Sequence, residues 1–272
     1  MKPGVLTVYG WELRKLRAQK RTYLGFAIAV IMPALFILAL VLQNGQPEGV
    51  LFGRYVRQSG LAIPLVLLIF GSIWLFPLVT SLVAGDIFAA EDHNGTLKTI
   101  LTRSLNRGQI FVGKVLAAAT YAFAALLLMG IVAVVAGSIE SGFNSLTTLS
   151  GTKVSAMKGL GLVGASLAVY LIPMLAVASI GLLLSTTTRN SAAAVVATLM
   201  IALIMQLVGI LPGLEEIRPY LLPKQFDAWQ GLLREPTDWA PIVRAAWVCA
   251  LYALPCLGAA YLVFLRRDVA GG

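Results

Sequence analysis

Six long apolar stretches recur along the chain, and the charged residues lie in the segments between them. Each stretch lacks acidic and basic side chains for about twenty residues or more, enough for a helix to cross roughly 30 Å of hydrocarbon at 1.5 Å per residue. The pattern therefore predicts an all-α, polytopic membrane fold. The six predicted membrane-spanning helices are Thr22–Leu42, Gly60–Ala84, Val115–Gly137, Gly159–Ser185, Ser191–Gly213 and Ala245–Leu265.

Composition agrees with this interpretation and excludes a water-soluble domain of the same length. Hydrophobic residues make up 58% of the 272 positions and charged residues only 12%. The net charge of +9 comes from basic residues that flank the apolar stretches and do not form a separate domain. Such residues favour contact with membrane lipids and indicate no nucleic-acid partner.

The distribution of lysine and arginine predicts the orientation in the membrane. Thirteen of the 21 basic residues fall on one side of the predicted spans and eight on the other. Because short cytoplasmic segments are enriched in basic residues, both termini are predicted to be cytoplasmic. The chain is predicted to be a multi-pass protein of the cell (inner) membrane. Residues 1–21 then precede the six-helix domain 22–265, and residues 266–272 form a cytoplasmic tail.

The segment before the first span is amphipathic. Apolar residues recur at helical spacing and basic residues occupy the other face, the apolar set being Leu6, Tyr9, Leu13 and Leu16. We predict a helix lying on the inner leaflet. Topogenic charge ahead of a span, without a helix, is the alternative.

Two outer connections differ in character. The connection from Ser138 to Lys158 is rich in Ser, Thr and Gly and predicts a flexible loop. Residues 214–244 predict a structured outer segment, re-entrant or interfacial, because Phe226, Trp229 and Leu233 lie at helical spacing beside Asp227, a plausible N-cap. Trp229 and Trp239 suit the membrane interface.

The inner connection 86–114 carries the most specific pattern. After Asn94, a short helical stripe of Leu97, Ile100 and Leu101 predicts a helix that presents an apolar face to a partner. Residues 108–114, GQIFVGK, match the spacing of a phosphate-binding loop. The following Val115 lacks the hydroxyl that would hold Mg²⁺, and no buried strand precedes the motif, so nucleotide binding is not expected here.

Little in the chain favours catalysis. The single histidine, His93, excludes the two-histidine zinc motif, and the centres of the spans hold no ionisable side chain. We expect no enzyme activity and no catalytic, cofactor-binding or metal site.

The second and fifth spans offer aromatic, Met and amide side chains that fit a substrate pathway. Lipid-facing or packing roles are the alternative. These residues are Phe70, Trp74, Phe76, Met200, Met205 and Gln206.

The segment from Asp86 to Lys114 resembles a known family. An acidic residue after the second span is followed by Glu91, by Gly95-Thr96-Leu97, by a leucine pair, and by Arg107 and Gly113-Lys114 at the third span. This order, with the basic N-terminal helix and six spans, is similar to the permease (transmembrane) subunit of a type-2 ABC exporter. His93 and Asp92 depart from it, since such permeases often carry basic residues there.

The resemblance implies a six-helix permease that works as a dimer with a second permease, identical or related. It also implies two copies of a separate ABC ATPase subunit, which bind ATP and Mg²⁺, so that the chain itself needs no cofactor. The apolar and aromatic spans favour a small amphipathic, drug-like or lipid-like substrate as the cargo, with a hydrophilic cargo as the alternative. Segment 86–114 would be the coupling loop, and its ATPase-coupling interface would comprise Glu91, Gly95, Thr96, Leu97, Ile100, Leu101 and Arg107.

Another class of function fits the same residues. A membrane sensor or assembly factor that transports nothing would also bind a cytoplasmic partner through the apolar stripe of the 86–114 loop. Transport in sealed vesicles, measured with and without ATP, separates the two hypotheses.

Overall fold

The computed structural model of the chain describes residues 4–42, 51–93, 106–188 and 190–266. Within them the regular secondary structure is helical apart from one short hairpin. The α-helices are α1 (Val5–Ala18), α2 (Lys20–Leu42), α3 (Ala62–Gly71), α4 (Leu75–Ala84), α5 (Ala89–His93), α6 (Arg107–Ser141), α7 (Ala156–Thr188), α8 (Ser191–Val208), α9 (Leu222–Gln225) and α10 (Ala240–Arg266). Single 3-10 turns occupy Gly53–Tyr55, Arg218–Tyr220 and Ala228–Leu233.

Five helices of the described residues are long and apolar enough to cross a membrane, namely α2, α6, α7, α8 and α10. The pair formed by α3 and α4 makes a sixth span if it is counted as one. The prediction of an all-α polytopic fold is confirmed. The spans bury most of their apolar surface against lipid or a neighbour rather than water, which is why composition alone identified them.

The second predicted span is broken rather than continuous. Its two halves meet at an angle of 65°. At the end of α3 the Ser72 hydroxyl donates to the carbonyl of Ile69 at 2.7 Å, and Pro77 lies in the first turn of α4, where a missing amide N–H is tolerated. The break puts Trp74 at the surface, with 61% of its area exposed.

The connection Ser138–Lys158 is more ordered than predicted. Strands β1 (Leu146–Thr147) and β2 (Lys153–Val154) pair antiparallel. Leu146 is fully buried, and the amide of Leu149 donates to the carbonyl of Leu233 at 2.8 Å. The Ser- and Gly-rich composition indicated a turn correctly but could not reveal the long-range hydrogen bond that orders it. We call the end of the bundle that carries this hairpin the hairpin face, and the opposite end, which carries α1, the α1 face.

The outer segment 214–244 folds into the protein. Trp229 is fully buried and stacks on Phe52, with ring centroids 6.2 Å apart. Phe226 packs edge-on against Tyr170 at 4.9 Å, and Tyr170 in turn contacts Phe76 at 5.0 Å. Phe52 and Tyr170, from distant parts of the sequence, enclose this segment, so that Trp229 lies inside the protein. The position of the segment at the membrane interface stays a prediction. Trp239, by contrast, is 61% exposed.

A close contact between α2 and α6 provides a test of the packing. A Cβ atom added to Gly25 would lie 1.8 Å from the Tyr121 hydroxyl oxygen, and that buried hydroxyl has no hydrogen-bond partner among the described residues. We expect Gly25→Ala to destabilise the protein by about 1–3 kcal/mol, the usual range for overpacking. Adding Tyr121→Phe should restore most of the lost stability, because the nearest ring atom, Cζ, lies 3.1 Å from the added Cβ atom.

Thermal unfolding in neutral detergent measures this effect. Tyr121→Phe alone should unfold at or above the temperature of the parent chain, because it removes a buried and unpaired hydroxyl. A Gly25→Ala/Tyr121→Phe double variant no more stable than Gly25→Ala would show that the hydroxyl is not what limits this contact.

Candidate functional site

Helix α1 packs directly on α6 at the α1 face. Val8 and Leu16 are buried on one side of α1, and Val8 lies so close to Gly113 that a Cβ there would come within 2.7 Å of its Cγ1 atom. The Tyr9 hydroxyl adds a 2.8 Å hydrogen bond to Thr120. Contrary to the predicted stripe, Leu6 is 79% exposed, since the side of α1 that meets α6 is centred on Val8.

A lysine is fully buried between these helices and the end of the broken span. The Nζ atom of Lys114, on α6, lies 3.2 Å from Glu12 of α1 and 2.8 Å from Glu91 of α5. It also donates to the carbonyl oxygen of Ile87 at 3.0 Å. The GQIFVGK motif thus lies in the first turns of a helix, and its lysine is engaged by carboxylates rather than free for a phosphate.

Lys15 completes a four-charge ion cluster, defined here as Glu12, Lys15, Glu91 and Lys114. Lys15 donates to Glu12 at 2.9 Å and also bonds to Glu91. Partial burial by itself lowers the pKa of Lys15, but the carboxylates of Glu91 and Glu12 outweigh it, so the pKa lies above its ordinary value. Two carboxylates balance two ammonium groups, which is the condition under which buried charges are tolerated.

A second polar contact lies beside the ion cluster. One carboxylate oxygen of Asp86 accepts hydrogen bonds from Arg21 at the start of α2 and from Ser191 at the start of α8. Two residues further on, the hydroxyl oxygen of Ser185 accepts from the amides of Phe88 and Ala89 at 3.1 and 3.0 Å. The chain leaving α4 is therefore held by α2, α7 and α8 before it reaches the ion cluster.

The other end of the 94–105 segment is held by the last helix. Arg107, at the first position of α6, donates to the carbonyl of Leu265 near the end of α10. This places a cation at a helix C-terminus, where unpaired carbonyls attract it. Below it, Phe111 packs between Phe88 and Phe264, with ring centroids at 5.5 and 6.1 Å.

These contacts join helices to one another through ion pairs, hydrogen bonds and aromatic packing. Helix α5 ends just before residues 94–105, and helix α6 begins just after them. The ion pair between Glu91 and Lys114 links these two helices. The same ion cluster links both helices to α1 through Glu12 and Lys15. No group of three or more His, Cys, Asp or Glu side chains in the described ranges could hold a metal ion.

The predicted coupling residues fall into two groups. Glu91 and Arg107 lie in the contacts just described, while Gly95, Thr96, Leu97, Ile100 and Leu101 lie outside the described residues. Sequence reasoning did not select Glu12, Lys15 or Lys114. The signal that could have found them was Glu12 itself, the lone acid among the six basic residues of positions 1–21.

The predicted pathway residues are not brought together. Phe70 and Met200 are 42% and 48% exposed, whereas Phe76 is fully buried against Tyr170. Met205 and Gln206 line a cavity with the outer segment on the hairpin face. The pathway role of these residues stays a prediction, and Phe76 takes part in interior packing.

The fold and the site define a polytopic membrane protein in which the helices on either side of residues 94–105 are linked to each other, to the spans and to an amphipathic N-terminal helix. A family model described as ABC-2 family transporter protein matches residues 10–209, more than half of the chain. The protein belongs to this family and is a permease of the type-2 ABC transporters. No curated protein matches the chain.

Proposed function

We propose that this permease exports a small amphipathic, drug-like or lipid-like substrate with energy from ATP hydrolysed on a separate subunit. Two copies of that ABC ATPase bind ATP and Mg²⁺, and two permease chains, identical or related, enclose the path. The α1 face is the cytoplasmic side of the cell (inner) membrane. This chain contributes no catalytic residue.

The observation that carries the proposal is the ion cluster. Lys114 is fully buried and its partners come from α1 and α5, so that the two flanks of the 94–105 segment and the N-terminal helix form one connected unit. A partner that moves the segment moves this unit, because breaking the buried ion pairs would cost about 3–5 kcal/mol. A sensor that only binds a partner needs no such connection between the loop, the N-terminal helix and a span.

Co-purification with an ABC ATPase tests the proposal. The parent chain, isolated in mild detergent with nucleotide present, is expected to retain a soluble ATPase, and Leu97→Asp/Leu101→Asp is expected to lose it. The reason is that two charges would enter the apolar stripe that seats in the groove of the partner. Thr99→Asp/Lys98→Asp adds charge off that stripe and should keep binding to a measurable degree.

Transport provides the decisive readout. Sealed vesicles that contain both proteins should accumulate a fluorescent amphipathic probe only with ATP, and the Leu97→Asp/Leu101→Asp variant should not. Normal ATPase binding by that variant, or ATPase binding without any ATP-dependent transport across a panel of amphipathic probes, would favour the sensor hypothesis.

A further inference from the structure

Two adjoining cavities on the hairpin face collect basic side chains. The first, of about 200 Å³, lies between the end of α8 and the outer segment and is lined in part by Arg218, Lys224 and Asp227. The second, of about 190 Å³, shares Lys224 and Asp227 and adds Arg234 and Arg244. Four cations and one carboxylate thus line the pair of cavities.

This lining does not simply follow the composition of the segment. Residues 214–244 contain four basic and five acidic residues, yet all four basic residues and only one acid line the cavities. Among the other acids, Glu215 accepts a hydrogen bond from the Gly213 amide at 3.1 Å, and Asp238 pairs with Arg234 at 3.6 Å. The side chains that line the cavities therefore keep an excess of positive charge, although Lys224 and Arg234 are each paired with a carboxylate.

The side chain of Arg218 is an independent indication of an anion-binding site. Its Nε atom is buried and has no hydrogen-bond partner among the described residues. A buried donor left unpaired is costly, by about 1–3 kcal/mol or more for a charged group, and an anion in the cavity would satisfy it. Lys224, in contrast, is half exposed and paired with Asp227 at 2.9 Å.

The backbone that carries these cations is held in place. The buried side chain of Gln225 donates to the carbonyl oxygens of Pro219 at 2.7 Å and Leu221 at 2.9 Å. These bonds fix the turn between Arg218 and Lys224, so the recess is built into the fold. Preorganised cations of this kind suit a phosphate, which accepts several charge-assisted hydrogen bonds.

The remaining walls of the first cavity are apolar apart from Gln206. Met205, Leu221 and Ile210 line it, and Ile210, just beyond the end of α8, is 69% exposed. The volume of about 200 Å³ is smaller than the roughly 300–1,000 Å³ of a site that encloses a whole drug-sized ligand. A headgroup fits inside while the apolar part of the same molecule stays along α8.

We propose that this recess binds the phosphate headgroup of an anionic amphiphile, with Arg218 and Lys224 on the phosphate and the exposed apolar side of α8 beside the chains. The assignment narrows the substrate class and so rests on the proposed function. Binding to the recess, however, requires neither ATP nor an ATPase and is measured separately from transport.

The test is a titration of the purified chain, in neutral detergent and without nucleotide, with a fluorescent short-chain phosphatidic acid. We expect Arg218→Gln to weaken binding by roughly tenfold or more, as expected for the loss of a charged hydrogen bond. Lys224→Gln, a change at a half-exposed side chain, should weaken it several-fold and covers the case in which Arg218→Gln does not fold. Lys153→Gln is the matched control, since Lys153 is exposed on the same face but outside both cavities.

Three results would overturn the proposal. They are unchanged binding in both folded variants, an equal loss in Lys153→Gln, which would indicate diffuse surface charge, and competition by inorganic phosphate as strong as by unlabelled phosphatidic acid, which would indicate a free-phosphate site. Failure of the proposed function looks different, because ATP-dependent transport would then be absent while binding of the amphiphile to the recess is intact.

Discussion

Replacing Lys114 by methionine is expected to destabilise the permease by about 3–5 kcal/mol, the loss that follows when one partner of a buried ion pair is removed. Lys114 has no exposed surface and lies between Glu12 and Glu91. Methionine keeps the length of the side chain but leaves two carboxylates with only Lys15 to balance them. One carboxylate must then take up a proton or draw in water, and the contact between α1 and α6 loosens.

Thermal unfolding in detergent measures the effect, and a second substitution shows its cause. Lys114→Met/Glu91→Gln restores the charge balance with Glu12 and Lys15, so it should be more stable than Lys114→Met alone. Lys153→Met, at an exposed position, should unfold like the parent chain. If Lys114→Met unfolded at the same temperature as Lys153→Met, the ion cluster would not stabilise the α1 face.

Gly60→Ala is expected to have a comparable or somewhat smaller effect at the hairpin face. A Cβ atom on Gly60 would lie 2.2 Å from the carbonyl carbon of Gly137 and 2.4 Å from the amide nitrogen of Ser138. Both are backbone atoms of α6, so no side chain can rotate away and the helices must separate. The Gly60 amide would also be displaced from the Gly142 carbonyl, which it now reaches at 3.0 Å.

We expect Gly60→Ala to lower stability by about 3 kcal/mol, the upper part of the range for overpacking, and to reduce the folded yield. Gly164→Ala is the control, because nothing lies within 4 Å of a Cβ at that position of α7. Alanine there should be neutral or slightly stabilising, as it usually is in a helix. A Gly60→Ala protein as stable as Gly164→Ala would mean that α3 and α6 are not in contact at this point.

Together, these substitutions separate the two ends of the protein. The α1 face depends on paired charges, whereas the contact of α3 with α6 depends on two glycines, Gly60 and Gly137, whose backbones touch. A permease that transmits movement from its inner loop needs a rigid connection at the first of these ends. Loss of ATPase-dependent transport in Lys114→Met, with ATPase binding retained, is the functional result that agrees with this role.

Several features of the protein could be predicted from the sequence because each depends on residues close together in the chain. The spans followed from runs of about twenty uncharged residues, and the helix α1 from the spacing of Tyr9, Leu13 and Leu16. The apolar stripe at Leu97 and Leu101 and the neighbouring Glu91 carried the resemblance to the permease family, and the family match agrees with it.

Other features were decided by the tertiary structure alone. Lys15 and Glu91 are 76 positions apart, so nothing local showed that they pair or that Lys114 is buried between carboxylates. Trp229 suited a membrane interface by type, but Phe52 and the neighbouring core enclose it. In the basic recess, Arg218 and Arg244 line adjoining cavities, although acidic residues outnumber basic ones in the same segment. The segments that enter the membrane could thus be predicted from the sequence, because transfer into lipid depends on local composition. The ion pairs could not, because they depend on the tertiary structure, which sets the distances between remote residues.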